Sequence, residues 1–130
     1  MPRYKHGPIE RFSWGRFVVC GREHSEIGSQ VLGAGKDIRV IGKDVTEWKE
    51  REGHRLAPAM ITGVYDHHID VLVIGLGVEK ALRCPRKVRK SIRRHRIDKV
   101  ILRSTPKACK EYNRLLRKGT KVALLAHGTC

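Results

Sequence analysis

The chain has 130 residues, of which 40% are hydrophobic, 32% are charged and 5% are aromatic, so we expect a folded domain with a mainly aliphatic core rather than a disordered or membrane protein. The formal net charge of +15 predicts attraction to anionic partners and does not indicate a fold. No apolar run has the length of a signal peptide or a membrane span, and the four cysteines lack the C-x-x-C spacing of zinc or dithiol sites, so we expect a cytoplasmic protein with reduced thiols.

The amino-terminal half is predicted to form short antiparallel strands after a basic tail at residues 1–8. The segments ERFSW and RFVVC flank a turn near Gly15, and further glycines precede the strand DIRVI. This pattern is typical of a β meander that extends to about Trp48. A polar connection follows, and Pro58 predicts the first turn of a helix that runs to about His67.

In the carboxyl-terminal half, apolar runs alternate with amphipathic segments. The runs VLVIG, KVILR and KVALLAH are continuous, which is typical of strands buried on both faces of a parallel sheet. Pro85 and Pro106 each fit the first position of an intervening helix. Thr105 is expected to cap the second helix and Gly119 to end it. We therefore predict one α/β domain over residues 9–130, with a parallel βαβαβ unit joined to the β meander.

The strand VLVIG ends in Gly75-Leu76-Gly77, which raises the question of a phosphate-binding turn. A dinucleotide fingerprint needs a third glycine where this chain has Lys80, and no Walker motif is present. The predicted helix begins only near Pro85, too far from the glycines to hold a pyrophosphate at its amino terminus. We therefore expect the glycines to let a buried strand leave the sheet, and we predict no bound cofactor.

The carboxyl ends of the three predicted parallel strands should meet at one edge of the sheet and form a strand-end pocket. The amino terminus of the second helix would favour an anion there, and it would lower the pKa of Cys109 if that thiol is exposed; the alternative is a buried, unreactive cysteine. His67 and His68 lack a third ligand, so we predict no metal site. The residues of the strand-end pocket are predicted to be His54, Gly75, Gly77, Ser104, Thr105, Cys109, Asn113 and His127.

The segment PRKVRKSIRRHR concentrates positive charge on one helical face. Cys84, Val88 and Ile92 give it a narrow apolar stripe. We refer to this segment as the basic helix, and its cations are Arg86, Lys87, Arg89, Lys90, Arg93, Arg94 and Arg96. They predict a surface for an anionic partner, such as the phosphates of a nucleic acid, with a merely solvated or protein-docking face as the alternative. The few aromatic residues and the absence of a known nucleic-acid motif favour that alternative.

Four segments, taken in order, resemble the Mth938-like family over about residues 9–130: IERFSWGRFVVCG, EWKEREGHRLAP, DVLVIGLG and TPKACKEYNRLLRKGTKVALLAHGTC. The resemblance implies a three-layer α/β domain with a mixed central sheet, and it supplies no catalytic roles. Relatives include a mitochondrial assembly factor for respiratory complex I and an adipogenesis-associated cytoplasmic protein. The family's recurring residues correspond to Gly53-His54-Arg55, Gly75, Gly77, Cys109, Asn113, His127 and Thr129-Cys130. Leu76 departs from the family, whose members typically carry a hydroxyl residue there, and the density of cations on the basic helix is peculiar to this chain.

Three functional hypotheses follow. The leading one is a non-enzymatic binding or assembly module that has a protein partner and holds a small anion or ligand in the strand-end pocket. The first alternative is a binder of RNA or DNA phosphates through the basic helix. The second is a small-molecule enzyme that uses Cys109, Asn113 and His127. The sequence leaves the oligomeric state open.

Overall fold

Two β-sheets and two α-helices form the fold in the computed structural model, which describes residues 2–130. The first sheet is antiparallel and contains, in spatial order, β1 (Ile9–Ser13), β2 (Arg16–Val19), β3 (Arg22–Ile27) and β4 (Gln30–Leu32). The turn between β1 and β2 needs a left-handed backbone, which Gly15 supplies at φ 69°. The predicted β meander is confirmed for these four strands.

The second sheet is mixed and lies at the centre of the molecule. Its strands are β5 (Asp37–Ile41), β6 (Asp44–Glu47), β7 (Val71–Gly75), β8 (Lys99–Arg103) and β9 (Val122–His127), in the spatial order β6-β5-β9-β7-β8. Strand β7 pairs in parallel with β8 and β9, as predicted, whereas β5 pairs with β9 antiparallel. The predicted extension of the meander to about Trp48 is wrong, because β5 and β6 belong to the central sheet, where β5 pairs with β9.

Both faces of the central sheet are covered, which explains the continuous apolar runs. Helix α2 (Thr105–Arg117) and the first sheet cover one face, and helix α1 (Arg86–Arg94) lies on the other. Neighbouring residues of β9 such as Leu124 and Leu125 therefore belong to different clusters, and both are fully buried. Burial of each such side chain stabilises the fold by roughly 2 kcal/mol. This confirms the three-layer arrangement.

The helices begin within one residue of their predicted positions. Pro85 is the N-cap rather than the first residue of α1. Ser104 is the N-cap of α2, so the prediction that Thr105 caps this helix is wrong. Thr105 Oγ1 instead donates to the carbonyl of His127 at 2.6 Å and accepts from the amide of Gly77 at 2.9 Å, and it thereby joins the ends of β9 and β7. Within residues 2–130, no helix has the length and apolar character needed to cross a membrane.

The helix predicted from Pro58 to about His67 does not form. Two 3₁₀ turns stand in its place, at Pro58–Met60 and Thr62–Val64. Trp48 Nε1 donates to the carbonyl of Met60 at 2.8 Å and joins the first of these turns to the residue that follows β6. The left-handed backbone of Asp66, at φ 66°, then turns the chain toward β7.

Residues 2–8, which the sequence predicts to be a basic tail, contact the rest of the domain. Arg3 forms an isolated antiparallel bridge with Arg11 of β1. The Tyr4 hydroxyl donates to the carbonyl of Pro106 at 2.8 Å, at the start of α2. The segment therefore lies across β1 and the first turn of α2.

Candidate functional site

Three side chains with metal-binding and nucleophilic atoms meet at the carboxyl end of β9. Cys130 Sγ lies 3.5 Å from His54 Nε2 and 3.8 Å from His127 Nε2. The two imidazole rings have centroids 6.5 Å apart and meet edge to face. We call His54, His127 and Cys130 the His-His-Cys cluster. His127 is buried, Cys130 is partly buried and His54 is exposed, so the cluster opens to solvent on the side of His54.

Asp37 fixes the orientation of the buried imidazole of His127. Asp37 Oδ1 lies 2.7 Å from His127 Nδ1, and Arg51 Nε donates to Asp37 Oδ2 at 3.0 Å. Burial raises the pKa of Asp37, but the hydrogen bond from His127 and the charge of Arg51 together outweigh burial and hold this pKa below its ordinary value. The carboxylate is therefore ionised, and Nδ1 of a neutral His127 must carry the proton. The lone pair of Nε2 then faces Cys130 and the hydroxyl of Thr129.

A loop after β7 holds Cys130 in place through its backbone. The amide of Val78 donates to the carbonyl of Thr129 at 2.7 Å, and the amides of Glu79 and Ala81 donate to the carbonyl of Cys130 at 3.1 and 3.0 Å. Gly77 lets this loop approach so closely, because its φ is +101° and an added Cβ would overlap the backbone of Cys130. The second glycine of the Gly-Leu-Gly turn is therefore part of the support of the cluster.

His54 lies on a second loop, which is held beside the first. The amide of Arg83 donates to the carbonyl of His54 at 2.7 Å, and the amide of Leu56 donates to the carbonyl of Arg83 at 2.9 Å. These two loops enclose an open groove of about 600 Å³, which we call the basic groove. It is lined by Arg55, Leu76, Lys80, Leu82, Arg83, Cys84 and Pro85. The groove thus runs from the loop of His54 to the start of α1.

The structure brings together part of the predicted strand-end pocket. His54 and His127 contact the same sulfur, and Gly77 supports it. The hydroxyl of Thr105 joins the amide of Gly77 to the carbonyl of His127. Gly75 packs against Thr105, since an added Cβ at Gly75 would lie 2.9 Å from Thr105 Oγ1. Ser104, the N-cap of α2, makes no capping hydrogen bond with its side chain.

Cys109 and Asn113 do not join this cluster. Cys109 is fully buried in the core between α2 and the two sheets, and burial raises the pKa of its thiol to about 12. Asn113 uses its side chain on β1: Oδ1 accepts from the amide of Ile9 at 3.2 Å and Nδ2 donates to the Ile9 carbonyl at 2.7 Å. The hypothesis of an enzyme that uses Cys109, Asn113 and His127 is therefore wrong, because the thiol is neither exposed nor activated.

The basic helix largely coincides with α1 and presents its charges to solvent. Val88 and Ile92 are fully buried, as the apolar stripe predicts, and Cys84 is partly buried. All seven cations from Arg86 to Arg96 are exposed. Across residues 2–130, none of the ion pairs includes one of them. This charge is therefore not neutralised by acidic side chains of the same chain.

Sequence reasoning missed the residues that complete the cluster. Asp37 and Arg51 carried no local signal, since Asp37 contacts His127 across a separation of 90 residues. Cys130 entered only through the family resemblance, because a lone cysteine with no ligand at short spacing has no motif to mark it. The pairing of β5 with β9 is the feature that would have found Asp37.

Comparison with known proteins places the chain among structures of one fold. Residues 9–127 match the family described as protein of unknown function (DUF498/DUF598). A conserved hypothetical protein from Pyrococcus horikoshii has 21% identity and a TM-score of 0.77, with 94% of this chain and 98% of that chain covered. The protein MT938 has 22% identity and a TM-score of 0.72, with 97% and 100% covered. A Bordetella pertussis protein described as a Mth938-like domain has 16% identity and a TM-score of 0.60, with 94% and 85% covered.

Proposed function

We propose that the chain, which belongs to the DUF498/DUF598 family of proteins of unknown function, is a non-enzymatic binding module for a phosphate-bearing partner. The basic groove would hold a phosphate group, and α1 would extend the same surface along a chain of phosphates. The expectation of a cytoplasmic location is part of this proposal, and all four cysteines are free thiols.

The observation that carries the proposal is the continuity of unneutralised charge from the groove into the helix. Arg55, Lys80 and Arg83 line the groove and are exposed, and Arg86 begins α1 next to Pro85 at the end of the groove. Guanidinium groups suit phosphate because they offer paired donors in one plane. Helix α1 has 9 residues and so spans about 14 Å, the length of a few nucleotides of a single strand. This favours a phosphate backbone over a single anion.

The test is fluorescence anisotropy with a labelled single-stranded RNA, titrated across salt concentrations. In the helix variant, Arg86, Lys90 and Arg93 are each replaced by Glu. If these residues contact phosphates, the slope of log Kd against log salt should fall by about 2, because each contact to a single strand contributes about 0.7. A groove variant, Arg55→Glu with Arg83→Glu, should also weaken RNA binding and lower the slope of log Kd against log salt.

The matched control reverses three exposed cations outside the groove and α1. They are Arg11, Arg22 and Lys43. The control has the same net charge as the helix variant, so an equal loss in both would mean that only total charge matters, and the proposed surface would be rejected. Inorganic pyrophosphate is the second ligand. If pyrophosphate binds through the groove while the helix variant binds RNA as tightly as the native chain, the partner is a small phosphate compound and the role of the helix is rejected.

Exposed apolar side chains favour a protein partner as a second candidate. Trp14 is 59% exposed and Ile27 58%. Val31 and Leu32, both on β4, are 54% and 44% exposed. The edge strand β4 offers unpaired backbone groups beside these side chains, as in sites where a partner adds a strand. A partner docked there should be lost in Val31→Lys and retained in the helix variant. Retention in both, measured by co-purification and cross-linking, would reject this candidate.

A further inference from the structure

We propose that His54, His127 and Cys130 form a binding site for a divalent transition-metal ion of the zinc class. This proposal is independent of phosphate binding. The three ligand atoms, His54 Nε2, His127 Nε2 and Cys130 Sγ, all lie within 4.8 Å of one another. Imidazole nitrogen and thiolate sulfur are the donors that Zn²⁺ takes most often in proteins.

The two sulfur–nitrogen distances are close to those of a tetrahedral ion. With Zn–S near 2.3 Å and Zn–N near 2.0–2.1 Å, two such ligands of a tetrahedral ion are about 3.5–3.6 Å apart. The observed S···N distances are 3.5 Å to His54 and 3.8 Å to His127. The sulfur and either nitrogen could therefore bind one ion with small side-chain shifts. The two nitrogens lie within 4.8 Å of each other and would be about 3.3–3.4 Å apart on a tetrahedral ion, so the exposed imidazole of His54 would move toward His127 by up to about 1.5 Å. The thiol of Cys130 would release its proton to solvent when the ion binds.

Asp37 accepts a hydrogen bond from the ring nitrogen of His127 that faces away from Cys130, as carboxylates typically do for metal-binding histidines. His127 donates from Nδ1 to Asp37 Oδ1, at 2.7 Å, and this leaves Nε2 unprotonated on the side of Cys130. The amide of Gly128 donates to the same carboxylate oxygen at 3.2 Å, and Arg51 binds the other oxygen. The hydroxyl of Thr129 lies 3.2 Å from His127 Nε2 and would lose this contact to the ion.

The arrangement favours a metal over a cysteine nucleophile with a histidine base. A nucleophile needs one base and an oriented third group, which Cys130, His127 and Asp37 alone would supply. Here a second imidazole, that of His54, lies closer to the sulfur than His127 does. Two imidazole nitrogens directed at one sulfur satisfy a metal ion, whereas the second is superfluous to proton transfer.

The ligands come from separate parts of the chain and leave one coordination position open. His54 lies on its own loop, His127 ends β9, and Cys130 is held by the loop after β7. Because His54 is exposed, the fourth position of a tetrahedral ion would face solvent and hold water or an added ligand. Arg55 follows His54 and lines the basic groove, which would favour an anionic ligand at that position.

The test is titration of the full-length chain, purified without a histidine tag, with Co²⁺ followed by Zn²⁺ competition. We expect one Co²⁺ per chain, with the near-ultraviolet charge-transfer band of a thiolate ligand and the strong visible bands of tetrahedral Co²⁺. Zn²⁺ should displace the ion and bleach both. Cys130→Ser should remove the charge-transfer band, while the control variants Cys20→Ser and Cys84→Ser should retain it.

Two further variants test His54 as a ligand and Asp37 as the hydrogen-bond partner of His127. His54→Ala changes an exposed loop side chain, so this variant should fold normally. Its affinity for Co²⁺ should be at least tenfold lower than that of the native chain. Asp37→Asn removes the carboxylate that accepts from His127 Nδ1, and it should weaken Co²⁺ binding by about 10–100-fold. His67→Ala, another exposed histidine, should change nothing. Co²⁺ binding without a thiolate band, or binding of equal strength in His54→Ala and the native chain, would overturn the proposal.

Discussion

Replacing Gly77 by alanine tests whether the loop after β7 positions Cys130. The backbone of Gly77 has a φ of +101°, where a side chain is strained by about 1–3 kcal/mol. The added Cβ would also overlap the backbone of Cys130, so the loop must move away. Movement would lose the hydrogen bonds from Glu79 and Ala81 to the Cys130 carbonyl, each worth about 1 kcal/mol net. We therefore expect Gly77→Ala to lower the free energy of unfolding by about 3–5 kcal/mol.

Gly119 provides a matched control for this substitution. Its φ of +86° is also left-handed, but no atom lies within 4 Å of the position that a Cβ would take. Gly119→Ala should therefore cost only the backbone strain, about 1–3 kcal/mol. Urea unfolding with a shared m-value gives both free energies, and Co²⁺ affinity should fall only in Gly77→Ala. If the two variants lose the same stability, the close approach of Gly77 to Cys130 does not constrain the loop, and the reasoning fails.

Two other predictions concern groups outside the cluster. Burial, with a smaller effect of Arg22, lowers the pKa of His24, whose Nδ1 accepts from the amide of Ala34 at 2.9 Å. The contribution of His24 to stability is therefore present above about pH 6.5, and it is lost as the pH falls toward the folded-state pKa. In His24→Asn the side chain keeps an acceptor that does not titrate. The melting temperature of this variant should therefore fall less than that of the native chain when the pH is lowered from about 7.5 to about 5. Equal falls in the two proteins would contradict this assignment. Cys109 has a pKa of about 12, so about 10⁻⁴ of its thiol is ionised at pH 8. In peptide mapping, iodoacetamide should therefore label exposed Cys20 at least a hundredfold faster than Cys109. Comparable labelling rates would show that the core around α2 opens.

The parts of the fold that could be predicted from the sequence are those with a local signal. The continuous apolar runs of β7, β8 and β9 reflect burial on both faces, and each residue carries that signal itself. The pairing of β5 could not be read in this way, because its alternating pattern fits an antiparallel neighbour in either sheet. The segment after Pro58 also makes a tertiary contact that no local pattern shows, because Trp48 Nε1 donates to the carbonyl of Met60.

The burial of Cys109, one of the two alternatives that the sequence left open, follows from the spacing of its neighbours on α2. Thr105, Ala108, Cys109, Tyr112 and Asn113 recur at the spacing of one helical face, and all five are buried. A cysteine in the middle of such a stripe faces the core, whatever the charge at the helix terminus. The helix terminus could lower the pKa of this thiol only if the thiol were exposed, and the buried stripe faces the core instead.

The position of Asp37 follows from the direction of β5 relative to β9. The two strands are antiparallel and Asp37 is the register partner of His127, so the first residue of β5 lies beside the last residue of β9. A parallel neighbour in the same place would have put its first residue at the opposite edge of the sheet, far from the strand ends where parallel α/β units place their sites. The antiparallel strand therefore supplies the carboxylate that orients His127, and the parallel unit supplies the edge at which Cys130 is held. The cluster depends on the mixed character of the sheet, which no segment of the sequence carries by itself.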